Sequence, residues 1–431
     1  MNRSAWGALF LAVTAALAAC QENPVTGKKQ LVLISQEQEI EQGNQIYPVA
    51  TQLSHGETPH RDTQSFVQKV GGGLARLSER PDLPWQFNVV DHNDPNAYSL
   101  PGGKVSFTRG LLSRLASEDQ VAAVLGHEIG HVAALHAVAA ASRQALIGLV
   151  LNVSGSVLQG RGNRGPGAIL MAERAGAALL LTKYSRDQER QADELGMKYM
   201  AADGYNPKAF LEVMQILERA QEREPSRVEV LFASHPLTSE RIATAQQRLA
   251  SGYTEEQKRA VRVADFEPAV APIRAETPAF ALADEAKKLV EQDKTALAAQ
   301  RLERAVAMVP DSPILNALWS DSLYDLDQYR ESEEISARAP NLYYGRLVNG
   351  AANWRLKNDR EALASLEVAE KLVPGTALVA YFRGRAEEDL GDRDAAASDY
   401  VKVAKATQGQ GPYGEYAVTR LREWGYLKQE P

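Results

Sequence analysis

Apolar and polar positions alternate along the chain with two different periods, and the changes of period mark out its elements. In "DTQSFVQKVGGGLARLSER" (62–80) apolar residues return at helical spacing, which predicts an amphipathic helix interrupted at Gly71–Gly73. "WQFNVV" then alternates as a strand, "DHNDPN" is rich in turn formers, and "AYSL" and "KVSFT" predict two strands around a Pro-Gly-Gly turn. "GLLSRLASEDQVAAVLGHEIGHVAALHAVAA" reads as a long helical region with a break near Ser117. The apolar stretch "ALIGLVLNVSGSVL" leads to the glycine-rich tip "QGRGNRGPG" (159–167), and the chain returns helically to Gly204. The arms around that tip suit a flap over a cleft, a hairpin grazing a membrane, or a packed helical hairpin. Neither reaches the ~18–20 apolar residues of a membrane span. Residues 21–60 are polar, with helix-like periodicity around "ISQEQEIEQGNQIYPVA".

Residues 262–280 carry three prolines and no helical period, which predicts a linker. Beyond it the pattern is helical almost throughout. Ala352, Leu356 and Ala362 return as Ala386, Leu390 and Ala396, a shift of 34 residues. Proline follows the helical segments "LERAVAMVP", "SARAP" and "EVAEKLVP", although Pro310 and Pro340 are only 30 apart. A helix-turn-helix period of this length with small residues at packing sites resembles the tetratricopeptide repeat. Stacked repeats of that kind leave a concave binding surface. Trp319, Tyr324, Tyr329 and Trp354 are expected in the repeat core.

Composition narrows the picture. With 431 residues, 44% of them apolar and 24% charged, the chain has material for two or three folded domains. A net charge of −7 without a basic stripe argues against a nucleic-acid partner. Residues 1–20, "MNRSAWGALFLAVTAALAAC", have the layout of an export signal: Arg3, an apolar core and small residues before the break. Cys20 is the only cysteine, so no intrachain disulfide forms. "LAAC" resembles the bacterial lipobox, which implies lipidation of Cys20 and a membrane anchor. Gln21 after it resembles outer-membrane sorting.

The candidate chemistry lies in "VLGHEIGHVAALH" (124–136), which holds three of the seven histidines. Residues four apart on a helix are rotated by about 40°, so His127 and His131 project from one face, suited to a tetrahedral zinc. Glu128, one step round, is placed to act as general base on a water. A zinc hydrolase needs a third protein ligand. In "YSRDQERQADELG", Glu189 and Asp193 are also four apart; Glu189 is expected as the ligand and Asp193 as the group that orients a ligand imidazole.

H-E-I-G-H followed by E-R-Q-A-D resembles the zinc metallopeptidase family of the CAAX prenyl endopeptidase and HtpX, in particular its exported bacterial BepA-like branch with tetratricopeptide repeats. "NPVTGKKQLVLIS" (23–35), "NAYSLPGGKVSFTRGLL" (96–112) and "SHPLTSERI" (234–242) look like further family blocks. The resemblance implies an α+β zincin-like (gluzincin) catalytic domain, mostly helical with a small sheet, followed by an all-α tetratricopeptide-like repeat domain. The expected division is a lipoprotein signal at 1–20, the metallopeptidase at 21–262, the linker at 263–280 and repeats at 281–431. It also implies His127, His131 and Glu189 as ligands of one zinc and Glu128 as base. His136 is expected to support the site without ligating. His235 either stabilises an oxyanion or occupies the open zinc position and keeps the enzyme latent. Leu135 departs from the basic residue that relatives carry. "GGKVSFT" (102–108) is expected as the edge strand that pairs with extended substrate.

These expectations describe a zinc endopeptidase facing the periplasm from the outer membrane. It would degrade misfolded or stalled envelope proteins, its repeats docking substrates or outer-membrane assembly machinery. A chaperone or assembly factor with a latent protease site is the alternative. Processing of lipidated CAAX-type peptides ranks below both, because the short apolar arms supply no multi-span chamber.

Overall fold

The computed structural model describes residues 20–142 and 183–427. Residues 1–19 of the expected signal at 1–20, and the apolar arms and tip at 143–182, lie outside the described residues. The chain divides into two compact units, and the division falls inside one helix, between Tyr47 and Pro48. Residues 48–59 belong with the second unit, which otherwise begins at Arg274.

The first unit opens with an antiparallel hairpin, β1 (Cys20–Glu22) and β2 (Lys29–Leu31), before helix α1 (Gln36–Leu53). Helix α2 (Arg61–Ala75) runs unbroken through Gly71–Gly73, against the expected interruption. The reason is packing: a Cβ on Gly71 would stand 2.5 Å from the Phe87 ring, so glycine lets helix and sheet approach. The sheet holds β3 (Gln86–Val90), β4 (Ala97–Leu100) and β5 (Lys104–Thr108) in the order β3-β5-β4. β5 runs parallel to β3 and antiparallel to β4. The strand "GGKVSFT", expected at the edge, is therefore central, with both sides paired; β3 and β4 are the edges.

A short helix α3 (Arg109–Leu112) leads to α4 (Glu118–Ala133), which starts at the Ser117 cap and is buried along its whole length. Helices α5 (Arg186–Ala202), α6 (Lys208–Arg223), α7 (Glu229–Ser234) and α8 (Ser239–Gly252) follow. The stretch expected as a linker is helical. It forms α9 (Phe266–Ala275) and α10 (Thr277–Glu291). Phe266, Ala269, Val270 and Ile273, at i, i+3, i+4 and i+7, are buried in the core of the first unit with Phe66, Leu125 and Met197. Two of its three prolines sit where helix tolerates them: Pro268 near the α9 start and Pro278 in the first turn of α10.

The second unit is all α in its described residues: α10, α11 (Thr295–Met308), α12 (Pro313–Asp325), α13 (Tyr329–Ser336), α14 (Tyr343–Arg355), α15 (Asp359–Leu372), α16 (Ala377–Asp389), α17 (Arg393–Thr407) and α18 (Gly411–Glu423). Its repeat character is visible in the backbone. Asp293, Asp327, Lys357, Gly391 and Gly425 all have positive φ in helix-ending turns, at successive spacings of 34, 30, 34 and 34. Packing repeats too: a Cβ on Gly350 would stand 2.4 Å from Leu366, and one on Gly384 2.7 Å from Tyr400, the same pair 34 residues on. Ala352, Ala362, Ala386 and Ala396 are fully buried between the helices. Trp354 is buried in this core and Trp319 and Tyr324 pack against it, whereas Tyr329 lies half-exposed at its margin.

Candidate metal centre

Helices α4 and α5 cross at glycine. A Cβ on Gly126 would lie 3.1 Å from Gly196 Cα, and one on Gly130 3.1 Å from Ala192 Cα. Backbones this close bring the side chains of both helices to one point. His127 and His131 come from α4, Glu189 from α5, and His235 from the residue that ends α7. His127 Nε2 is 3.1 Å from His131 Nε2 and 3.3 Å from His235 Nδ1. Glu189 Oε1 is 3.3 Å from His131 Nε2 and 3.1 Å from His235 Nδ1. One donor atom from each of the four lies within 4.8 Å of all the others, and all four residues are buried.

The outward ring nitrogens are held. His127 Nδ1 is 3.0 Å from Asp193 Oδ1, a carboxylate that accepts only, so Nδ1 carries the hydrogen and Nε2 presents its lone pair inward. His131 Nδ1 is 2.9 Å from His136 Nδ1, and His136 Nε2 is 3.0 Å from Gln191 Oε1. The Tyr184 ring stacks on His131 with centroids 3.9 Å apart. Arg241 lies behind the carboxylates. Its guanidinium donates to both oxygens of Asp193 at 2.7 and 2.8 Å and pairs with Glu189 Oε2 at 2.6 Å.

Charge follows from these neighbours. Burial pushes Glu189 upward, but the His235, His131 and His127 rings outweigh it and hold its carboxyl well below the usual carboxylate range. Asp193 is likewise raised by burial and lowered, on balance, by His127 and Arg241. Burial drives the His131 imidazole well below its ordinary value despite the pull of Glu189. Ionised carboxylates beside a neutral imidazole are the protonation states in which these groups bind metal.

The residues fit a zinc ion. Tetrahedral zinc with nitrogen and oxygen ligands at about 2.0–2.1 Å sets its donor atoms about 3.3 Å apart. Four of the separations here are 3.1 to 3.3 Å, His127 Nε2 lies 3.7 Å from the nearer Glu189 oxygen, and all four donors fall within 4.8 Å of one another. Two imidazole lone pairs and a carboxylate converging in a buried space repel one another unless a cation lies between them. Glu128 Oε2 is also buried without a hydrogen-bond partner, beside this cluster.

A model described as peptidase family M48 matches residues 61–249. Residues 61–249, which hold the cluster, form an M48 metallopeptidase domain. The chain is 26% identical over 190 residues to the mitochondrial metalloendopeptidase OMA1 of Schizosaccharomyces pombe, covering 44% of this chain and 54% of that protein. It is 28% identical over 189 residues to the beta-barrel assembly-enhancing protease of Escherichia coli, covering 42% of this chain and 38% of the relative. It is also 28% identical over 204 residues to the metalloprotease YcaL of the same organism, 44% of this chain and 73% of YcaL. For the first two, then, the matched stretch is 54% and 38% of the relative's length, short of two thirds in both.

In the M48 domain a cleft opens on the cluster. His127, Glu128, His235 and Arg241 form its polar wall, and Phe210, Val213, Met214 and Leu217 of α6 with Leu231 and Phe232 of α7 form the apolar one. Ala97 of the edge strand β4 lines it as well. The structure brings together every candidate site residue named from the sequence except Cys20: His127, Glu128, His131, His136, Glu189, Asp193 and His235. Arg241, Gln191 and Tyr184 were missed, although each lies in or beside a stretch singled out above. Two carboxylates on one helix face called for a buried cation, and "SHPLTSERI" offers one in Arg241.

Proposed function

We propose that this chain is a zinc-dependent endopeptidase of the bacterial cell envelope, a gluzincin in which His127, His131 and Glu189 hold the metal. The observation that carries this reading is the convergence of those three donors beside the unpartnered carboxylate oxygen of Glu128, inside an M48 domain. Bound zinc supplies a Lewis acid that polarises a carbonyl and acidifies water. The protein supplies the rest. Glu128 takes the proton of the attacking water and delivers it to the amine released when the peptide bond breaks. Asp193 and His136 hold the two imidazoles in one tautomer. An extended chain pairs with the edge strand β4 and places an apolar side chain against Phe210, Val213 and Met214, a mode that suits unfolded proteins.

The wider role is part of the same proposal. Lipidation at Cys20 tethers the protein to the outer membrane facing the periplasm, and tetratricopeptide repeats in the second unit dock misassembled envelope proteins or outer-membrane assembly machinery. Two of the relatives above carry names for a metalloendopeptidase and for a protease that enhances β-barrel assembly, which supports this assignment. A second reading, a chaperone or assembly factor with a latent site, is favoured by one observation. His235 Nδ1 stands in the fourth position of the cluster, where an open catalytic zinc site leaves room for water.

Incubation of casein with the zinc-loaded chain and with His235→Ala tests both. Cleavage by the wild type supports an open protease, and cleavage by His235→Ala alone supports a latent one. Neither cutting while both hold zinc sinks the endopeptidase reading.

A further inference from the structure

The M48 match begins at residue 61, yet the hairpin formed by β1 and β2 reaches, from outside it, the end of the helix that carries His127 and His131. We infer that this hairpin is a positioning element of the site and that Asn23 is the residue through which it acts. The inference rests on the reading of His131 as a metal ligand.

Helix α4 ends at Ala133, and the chain bends by 43° into a second helical stretch, His136–Ser142. The hinge is Leu135, whose φ of +58° lies in the left-handed region that a leucine disfavours. Such a conformation persists only where the surroundings impose it. Here the hairpin imposes it. Asn23 Nδ2 donates to the Ala134 carbonyl at 2.9 Å, and Gln30 Nε2 reaches the Leu135 carbonyl at 3.4 Å. The Leu135 side chain is buried with Val32, Val138 and Ala139, and Leu33 N donates to Ser142 Oγ at 3.0 Å.

Asn23 is itself fixed. Its Oδ1 accepts from Val25 N at 2.9 Å and Thr26 N at 3.1 Å, which closes the turn of the hairpin, and its Nδ2 donates to Gln30 Oε1 at 2.6 Å as well as to Ala134. One side chain therefore ties the hairpin turn to the carbonyl at the end of the zinc-site helix.

What the hinge positions is His136, the next residue. Gln191 Oε1 accepts from His136 Nε2, so His136 Nδ1 is an acceptor and His131 Nδ1 is the donor to it. That leaves His131 Nε2 bare and directed into the cluster. If the hinge relaxes, His136 turns away and His131 loses the partner that fixes both its tautomer and its ring. Asn23 thus acts on the metal through the hinge, His136 and His131 in turn. A hydrogen-bond partner of a ligand imidazole typically changes metal affinity 10- to 100-fold.

The test is Asn23→Asp in the full chain. Aspartate keeps the acceptor for Val25 and Thr26 but loses the donor to Ala134 and to Gln30 Oε1, so the turn keeps its closing bonds while the tie that runs through Asn23 is cut. Zinc affinity is measured by chelator competition. The tautomer of His131 is read from its ¹⁵N shifts in metal-free protein, and the melting temperature of the metal-free chain reports folding. The expected result is zinc binding about 10- to 100-fold weaker, a mixed His131 tautomer and a cooperative melting transition that is kept but shifted downward by the lost buried hydrogen bonds. Wild-type affinity together with a wild-type tautomer overturns the inference. Should the variant fail to fold, Asn23→Ser, which also keeps the turn acceptor and is too short to reach Ala134, is read in the same way. If wild type binds no zinc, the proposed function fails, and the tautomer comparison still decides the role of Asn23.

Discussion

Arg241 sets the charge balance behind the proposed metal ligands. Its guanidinium binds both oxygens of Asp193 and one of Glu189, and all three residues are buried. Removing one partner from a buried ion pair leaves uncompensated charge and costs about 3–5 kcal/mol. Arg241→Ala is therefore expected to lower the melting temperature of the metal-free chain sharply. Arg241→Lys should recover only part of the loss, because an ammonium cannot make the two parallel contacts to Asp193. An alanine variant as stable as wild type would show that the pairing contributes nothing. At this scale the sequence was legible where placement follows from spacing on one helix. His127 with His131, and Glu189 with Asp193, are pairs at i, i+4. Arg241 and Tyr184 were not legible in the same way, because their partners are 48 residues away and on another helix respectively.

Helix α4 meets α5 through glycines that the H-E-I-G-H motif half conceals. Gly130 lies inside the motif and Gly126 just before it, and each gives room for the backbone of α5. Gly196 is the tightest contact: its Cβ would lie 2.9 Å from the backbone nitrogen of His127. Gly196→Ala is expected to part the helices, destabilise the chain by about 1–3 kcal/mol and weaken zinc binding. Gly252→Ala, with nothing within 4 Å of its Cβ, is the neutral control. Equal melting temperatures and zinc affinities for the two variants would contradict this packing account. The elements misread from sequence share a cause. Three glycines suggested a break in α2 and three prolines a linker at 263–280, yet tertiary packing overrode both signals. The central place of β5 was illegible because strand order depends on a parallel pairing with β3 that no local turn specifies.

Across the whole molecule, the first unit carries the chemistry and the second carries repetition. The 34-residue recurrence was legible because repeats write the same packing constraint more than once, as Gly350 with Leu366 and Gly384 with Tyr400 illustrate. The candidate metal site was legible for a different reason: few arrangements other than metal binding place two histidines and a glutamate so on an apolar helix. The N-terminal hairpin had no such signature, and its contact with the end of α4, 111 residues away, emerges only in three dimensions. The central claim is that this unit hydrolyses peptide bonds with Glu128 as its base. The measurement that tests it most directly compares Glu128→Gln with a parent that cleaves casein, the wild type or His235→Ala, each shown beforehand to hold one zinc. The account predicts equal zinc content and a cleavage rate lower by about 10²- to 10⁴-fold in the variant. Cleavage at the parent's rate by zinc-loaded Glu128→Gln would contradict it.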